Sequence, residues 1–182
     1  MRLILIRHPQ PQAQPGMCYG STDLPAMPGE AERALAALHS SAILPEAAPL
    51  YSSPLQRCAA LASLLGRPIF DARLRELHFG SWEMHHWDTI PRHDIDAWAA
   101  DMAHYRPGGG ESATEAAQRV LAFRTELLQQ PHGDAIIVCH AGTIRLLSAY
   151  EPGISAQETA LRAARAAHRI GYGEAVIVEA VR

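Results

Sequence analysis

A chain of 182 residues, 48% of them hydrophobic and 19% charged, has the length and composition of one ordinary globular domain. We therefore expect a single domain over residues 1–182. The formal net charge is −3 and no run of basic residues stands out, which argues against a nucleic-acid partner. Three widely spaced cysteines predict neither a zinc ribbon nor a disulfide framework. The first apolar run is too short for a signal peptide or a membrane span, so we expect a cytoplasmic protein without a membrane partner.

The first predicted element is a strand, Leu3–Ile6, that ends in Arg7 and His8. Four consecutive apolar residues indicate a strand buried on both faces. Such a strand delivers the two polar side chains to the carboxyl edge of a sheet, where open α/β folds bind their ligands. The loop that follows, Pro9–Pro28, is long for a compact domain, and long loops are often functional.

Further elements follow in alternation. A helical pattern opens at Gly29-Glu30 and precedes a short strand, Leu50–Ser52. Ser53 and Pro54 then form a typical helix start, an N-cap followed by proline at the first helical position, which places Arg57 in the first turn. The later predictions are a strand at 68–70, irregular structure at 73–107 with a helix near 94–102, capping boxes at 112–115 and 155–158, strands at 135–139 and 175–178, and a helix at 143–150. Together they predict a layered α/β domain.

The second strongly apolar strand also ends in a histidine, His140. In a mainly parallel sheet His8 and His140 would project at the same edge. Arg7 lies beside His8, and Arg57 would lie where free backbone N–H groups and the helix dipole already favour an anion. Guanidinium groups offer paired donors that match phosphate oxygens. Any one of these residues alone would be an ordinary solvated or structural group, but their coincidence predicts a phosphate site.

The sequence resembles the histidine phosphatase, or phosphoglycerate-mutase-like, superfamily in five blocks that occur in the family's order. These blocks are Leu3–His8, Tyr51–Cys58, Leu74–Gly80, Pro107–Ser112 and Val138–Gly142. The resemblance implies a three-layer α/β/α sandwich with a mostly parallel sheet. It also implies a phosphohistidine intermediate on His8, a phosphate pocket formed by Arg7, Arg57 and His140, and Glu76 as the proton donor to the leaving group. No metal or other cofactor is implied.

The loop Met17–Pro25 and the segment Phe79–Glu83 resemble the branch that contains alpha-ribazole-5'-phosphate phosphatases of cobalamin synthesis. The expected function is hydrolysis of a small-molecule phosphomonoester. Alternatives are phosphoglycerate mutase-type phosphoryl transfer, a protein phosphohistidine phosphatase and a non-catalytic module that binds a phosphorylated ligand. The mutase is disfavoured because the stretch between Trp82 and Gly108 has only Arg92 and Arg106 for a second acidic group.

Several positions depart from the family pattern or leave alternatives open. Pro9 replaces a glycine and so lacks an N–H donor, Gln14 stands where asparagine is frequent, and Met84 replaces another glycine. None of these changes removes a predicted catalytic group. The spacing of the remaining histidines in the central segment fits no metal site. The tryptophans at 82, 87 and 98 either line the substrate mouth or pack beneath the irregular segment, and the oligomeric state stays open.

Overall fold

The computed structural model describes residues 1–166 and 170–181, which contain a central five-stranded sheet in the order β3-β2-β4-β1-β5. Neighbours among β1 to β4 run parallel, and β5 pairs antiparallel with β1, so the mostly parallel sheet is confirmed. The strands are β1 (Arg2–Arg7), β2 (Leu50–Ser52), β3 (Ile69–Phe70), β4 (Asp134–Cys139) and β5 (Ala175–Glu179).

Helices cover both faces of the sheet, which makes the three-layer sandwich. The core on one face contains residues of α1 and α2, and the core on the other contains residues of α4, α5 and α6. The helices are α1 (Glu30–Ser40), α2 (Gln56–Leu65), α3 (Arg92–Ala100), α4 (Ala113–Leu128), α5 (Ala141–Ala149) and α6 (Ala156–Arg165). None of the helices in the described part of the chain has both the length and the apolar character to cross a membrane.

The apolar run of β1 is buried because its side chains alternate between the two cores. Leu3 and Leu5 pack with α4, α5 and α6, whereas Ile4 and Ile6 pack with α1 and α2. Each of the four is at most 1% exposed. Burying one such side chain stabilises the fold by roughly 1.5–3 kcal/mol, so β1 is a principal anchor of the domain.

The predicted capping box of α4 is confirmed, and of the box predicted for α6 the serine cap is confirmed. Ser112 accepts a hydrogen bond from the Glu115 backbone N–H (3.3 Å), and the Glu115 carboxylate accepts one from the Ser112 N–H (3.0 Å), which completes a capping box. Ser155 caps α6 by accepting from the Glu158 N–H at 3.1 Å. These contacts satisfy N–H groups that have no partner inside their helices.

The predicted start of α2 is wrong by two residues. The helix begins at Gln56, not at Pro54, and its cap does not come from Ser53. The Gln56 N–H donates instead to a carboxylate oxygen of Asp23 (2.7 Å), which lies 33 residues earlier in the chain. Arg57 remains in the first turn. The cap is thus a tertiary contact between the long loop and the helix.

The segment from 73 to 107 is irregular, as predicted, apart from short 3₁₀ turns and α3, which runs from 92 to 100. Trp82 is buried with Cys18 and Ile90 in a small separate core, against which Trp87 and Trp98 pack. The rings of these two tryptophans stack at a centroid distance of 6.2 Å. The tryptophans therefore pack beneath the irregular segment. The three cysteines of the chain are buried and form no disulfide bond.

Candidate active site

His8 and His140 are brought together by the register of two neighbouring strands. In the parallel β1–β4 pair Arg7 lies opposite Cys139, and the His8 backbone N–H donates to the Cys139 carbonyl at 2.9 Å. The residues that follow each strand therefore face one another. The two imidazole rings lie 5.1 Å apart between centroids, and both side chains are buried. The predicted convergence of the histidines at one sheet edge is confirmed.

The hydrogen bonding of His8 determines which of its nitrogens is available. Its Nδ1 lies 2.7 Å from the Pro9 carbonyl oxygen. Because a carbonyl only accepts, Nδ1 carries the proton and Nε2 keeps its lone pair. Burial, followed by the charge of Arg57 and, to a lesser degree, Arg7, lowers the pKa of His8 to about 3 against the opposing effect of the Pro9 bond. His8 is thus neutral near neutral pH, and the Pro9 carbonyl orients its ring.

His140 is held from the side of α2. Its Nε2 lies 2.8 Å from the Ser53 hydroxyl oxygen and 3.4 Å from the Cys58 sulfur. Ser53, which the sequence assigned to a helix cap, thus contacts the second histidine. Burial lowers the pKa of His140 well below its usual value, and the positive charge of Arg57 acts in the same direction. Both imidazoles are therefore uncharged at the sheet edge.

Arg7 and Arg57 are held by carbonyl groups. Arg57 is fully buried and donates to the carbonyls of Gly20 and Thr22, both at 2.7 Å. Arg7 donates to the Ile170 carbonyl at 2.6 Å. Within residues 1–166 and 170–181, neither guanidinium forms a salt bridge with a carboxylate, and the buried Nε of each has no hydrogen-bond partner. Unpaired buried donors are rare in proteins. Because neither guanidinium is paired with a carboxylate among the described residues, its positive charge is not neutralised.

Glu76 contacts the backbone at the start of α5. One carboxylate oxygen accepts from the Gly142 N–H (3.0 Å), and the other accepts from the Leu77 N–H (3.1 Å). A Cβ atom on Gly142 would approach Glu76 Oε1 to 2.3 Å, so only glycine leaves room for the carboxylate there. Gly142 follows His140 by two residues, which links Glu76 to the same sheet edge.

Arg119, which the sequence analysis missed, secures the backbone around Glu76. It forms a bidentate ion pair with Glu111, with contacts of 2.6 and 2.8 Å. Its guanidinium also donates to the carbonyls of Arg73 and Arg75, both at 2.7 Å, and of Glu76 at 3.2 Å. Glu111, Arg75 and Glu76 lie in two of the quoted blocks, but Arg119 itself lies in none of them. The carbonyl partners are more than 40 residues away, where no local pattern can indicate them.

Glu83 performs a similar task for the loop that holds Arg57. Its carboxylate accepts from the hydroxyl and backbone N–H of Ser21, the hydroxyl of Thr22 and the N–H of Phe79. Burial raises the pKa of Glu83, but these hydrogen bonds outweigh it and hold the pKa below its usual value. An ionised Glu83 therefore joins the loop to the segment after Glu76.

The arrangement suits a tetrahedral oxyanion. Two guanidiniums that have no carboxylate partner among the described residues can balance its charge, and two neutral imidazoles can offer a lone pair and a further hydrogen-bonding group. Across residues 1–166 and 170–181 no group of three or more histidine, cysteine or acidic residues has the geometry of a metal site.

The family model for the histidine phosphatase superfamily (branch 1) matches residues 3–170 of the chain. The chain belongs to the histidine phosphatase superfamily. This confirms the family that the five sequence blocks indicated. The matched range includes both strand-end histidines and the helices α2 and α5.

Curated relatives of this superfamily resemble the chain over most of its length. The glucosyl-3-phosphoglycerate phosphatase of Mycolicibacterium vanbaalenii is 33% identical and covers 81% of this chain and 72% of its own. The adenosylcobalamin/alpha-ribazole phosphatase of Escherichia coli is 31% identical and covers 86% of this chain and 82% of its own. A solved structure of a candidate alpha-ribazole-5'-phosphate phosphatase from Escherichia coli has a TM-score of 0.80 at 28% identity, over 97% of this chain and 89% of that chain. Phosphatase is the activity that these names share.

The sequence left undecided whether Gln14 contacts the phosphate and whether the tryptophans line the substrate mouth. Gln14 is exposed, unlike the buried histidines, so no buried contact assigns it to the phosphate site. A mostly apolar cavity of about 270 Å³ borders Glu76 and Gly142 and includes Trp98 in its wall. His8, Arg7 and Arg57 do not line this cavity. Trp98 therefore contributes both to the aromatic core and to a cavity next to Glu76.

The depressed pKa of His8 predicts a loss of stability in acid. The folded pKa is about 3 and the usual value is 6.5, so between these values the unfolded chain binds a proton that the folded chain does not. Stability is therefore complete above about pH 6.5 and declines as the pH falls toward the folded value. For His8 alone the decline between about pH 7 and about pH 5 is up to about 2 kcal/mol.

This decline is measured by urea unfolding at both pH values. The His8→Gln variant should lose less stability than the unmodified protein, by up to about 2 kcal/mol. His39→Gln, on an exposed helix position, serves as the control and should keep the full pH dependence. An equal loss in the His8→Gln variant and the unmodified protein would contradict the assignment.

Proposed function

We propose that this chain is a phosphomonoesterase that works through a phosphohistidine on His8, with residues 1–182 as one catalytic domain. The observation that carries the proposal is the neutral Nε2 of His8 beside two guanidiniums that lack carboxylate partners. A lone pair attacks phosphorus most readily where nearby cations balance the charge on the phosphate oxygens.

The reaction has two steps. In the first, His8 Nε2 forms a bond to phosphorus as the bond from phosphorus to the alcohol oxygen breaks, and the protonated Glu76 carboxyl gives its proton to that oxygen. In the second, water attacks the phosphohistidine, the P–N bond breaks, and Glu76 takes the proton that water loses. His8 and Glu76 are then restored, and the products are one alcohol and one phosphate.

Arg7, Arg57 and His140 would contact the equatorial oxygens during both steps. Because phosphoryl transfer depends chiefly on positioning and charge stabilisation, these groups supply most of the catalysis. The two uncompensated guanidiniums provide the positive charge that a divalent ion would otherwise supply. We therefore propose that the reaction needs no metal and no other cofactor.

Hydrolysis is favoured over mutase-type transfer because the segment between Trp82 and Gly108 contains few basic residues. The sequence offers only Arg92 and Arg106 there, and each is already paired, Arg92 with Asp96 at 2.8 Å and Arg106 with Glu115. A mutase must hold a second acidic group on its substrate. The paired arginines are poor candidates for that task.

A phosphoenzyme on His8 is the first expected result. Rapid quenching without acid during turnover of labelled p-nitrophenyl phosphate, in the presence of EDTA, should trap acid-labile and base-stable label. His8→Ala should abolish it, while His39→Ala, which alters an exposed histidine on α1, should not. Label on a serine, or none during steady release of phosphate, would overturn the covalent mechanism. A requirement for a divalent ion would overturn the metal independence.

Glu76→Gln should slow the first step in proportion to how much the leaving group needs a proton. A general acid contributes about 10²–10⁴-fold in rate. Single-turnover kinetics should therefore show a severe loss with an alkyl phosphate and little loss with p-nitrophenyl phosphate, whose leaving group departs unprotonated. Equal slowing of both substrates would instead make Glu76 a residue that orients the phosphate. A rate unchanged for both would exclude it from the reaction.

For the substrate, we propose alpha-ribazole 5'-phosphate. Support comes from the resemblance of the loop Met17–Pro25 and the segment Phe79–Glu83 to that branch, and from the mostly apolar cavity beside Glu76. Relatives of comparable identity act on other compounds by name, so the choice needs a direct comparison. A panel of alpha-ribazole 5'-phosphate, glucosyl-3-phosphoglycerate, phosphoserine and 3-phosphoglycerate should give the highest kcat/KM for the first. A higher value for any other compound would refute this assignment and leave the mechanism intact.

A further inference from the structure

Two tyrosines lie over the two arginines of the candidate site. The guanidinium carbon of Arg7 lies 3.9 Å from the ring centroid of Tyr172, and that of Arg57 lies 5.3 Å from the ring centroid of Tyr19. The two tyrosine hydroxyl oxygens are 3.1 Å apart and form a hydrogen bond. The Tyr172 ring also lies 5.6 Å from the His8 ring. A continuous chain of contacts thus runs from one guanidinium to the other across the site.

The backbone directly after Tyr172 is joined to Arg7. The Gly173 N–H donates to the Arg7 carbonyl at 3.1 Å, and the Arg7 N–H donates to the Glu174 carbonyl at 2.9 Å. Gly173 has a φ of +74°, a conformation that glycine adopts freely. These bonds attach the turn that carries Tyr172 to the end of β1 and so place its ring next to Arg7.

Tyr19 is fixed in an analogous way against Arg57. Its neighbour Gly20 accepts a hydrogen bond from Arg57, and its other neighbour, Cys18, donates its N–H to the His85 carbonyl at 2.9 Å. Burial, together with the bond to Tyr172, raises the pKa of Tyr19. The Tyr19 hydroxyl therefore stays protonated at neutral pH.

We propose that Tyr19 and Tyr172 are positioning residues, which set the separation and orientation of the Arg7 and Arg57 guanidiniums for one phosphoryl group. The inference rests on the proposed function and adds a role that neither the sequence blocks nor the mechanism above assigns. An aromatic face attracts a cation without neutralising it, whereas a carboxylate would pair with the same guanidinium and compete with phosphate. The tyrosines therefore orient the arginines and leave their charge available.

The test uses binding of inorganic phosphate, which does not require turnover. Titration calorimetry on Tyr172→Leu should show phosphate affinity weakened by about 2- to 30-fold, the range of one cation–π contact. Tyr150→Leu is the matched control, because Arg124 lies 4.2 Å from the Tyr150 ring centroid in the same kind of contact. That variant should bind phosphate as the unmodified protein does.

The hydroxyl bond is tested by Tyr19→Phe, Tyr172→Phe and the double variant, which keep both rings. Each single variant should weaken phosphate binding by a similar factor, about 2- to 10-fold. The double variant should be no weaker than either single variant, because all three lack the same bond. With p-nitrophenyl phosphate, the loss should appear mainly in KM, while thermal unfolding temperatures stay close together, a pattern that a general loss of stability would not produce.

Three results would overturn the inference: unchanged phosphate affinity in Tyr172→Leu, additive losses in the double phenylalanine variant, or an equal loss in Tyr150→Leu. Failure of the proposed function is recognised separately, by the absence of label on His8 in a protein that still binds phosphate. If the unmodified protein binds no phosphate, both proposals fail together.

Discussion

The parallel register between β1 and β4 is the constraint on which the rest of the site depends. It sets Arg7 opposite Cys139 and thereby places His8 next to His140, with ring centroids 5.1 Å apart. The same register directs alternate β1 side chains into two separate cores, and a shift by one residue would exchange their faces. Hydrophobic burial on both sides of the sheet therefore fixes the geometry of two buried polar residues that belong to neither hydrophobic core.

The site gathers positive charge in a buried place without neutralising it. Burying a cation without an ionic partner is unfavourable, and here carbonyl oxygens and aromatic faces compensate in part. The imidazoles respond to the same environment by remaining uncharged. An anion that enters satisfies donors which the protein leaves unpaired, so part of the unfavourable energy of assembling the site is offset when a ligand binds.

Those parts of the fold and site that depend on local patterns were predictable from the sequence. Continuous apolar runs identified β1 and β4, and the residues directly after them supplied the two histidines. The start of α2 was not predictable, because its cap is the carboxylate of Asp23 from a distant loop. Arg119 and Tyr172 were missed for the same reason, since their partners near the site lie far away in the chain.

The contact between Asp23 and the first N–H of α2 joins the long loop after β1 to the helix that carries Arg57. Asp23 belongs to the long loop after β1, and α2 carries Arg57 in its first turn. If a ligand displaced this loop, it would uncap the helix, at a cost of about 0.5–2 kcal/mol, and release the carbonyls that hold the guanidinium. The conformation of this loop and the position of the Arg57 guanidinium are therefore coupled, because the same loop residues cap the helix and hold its cation.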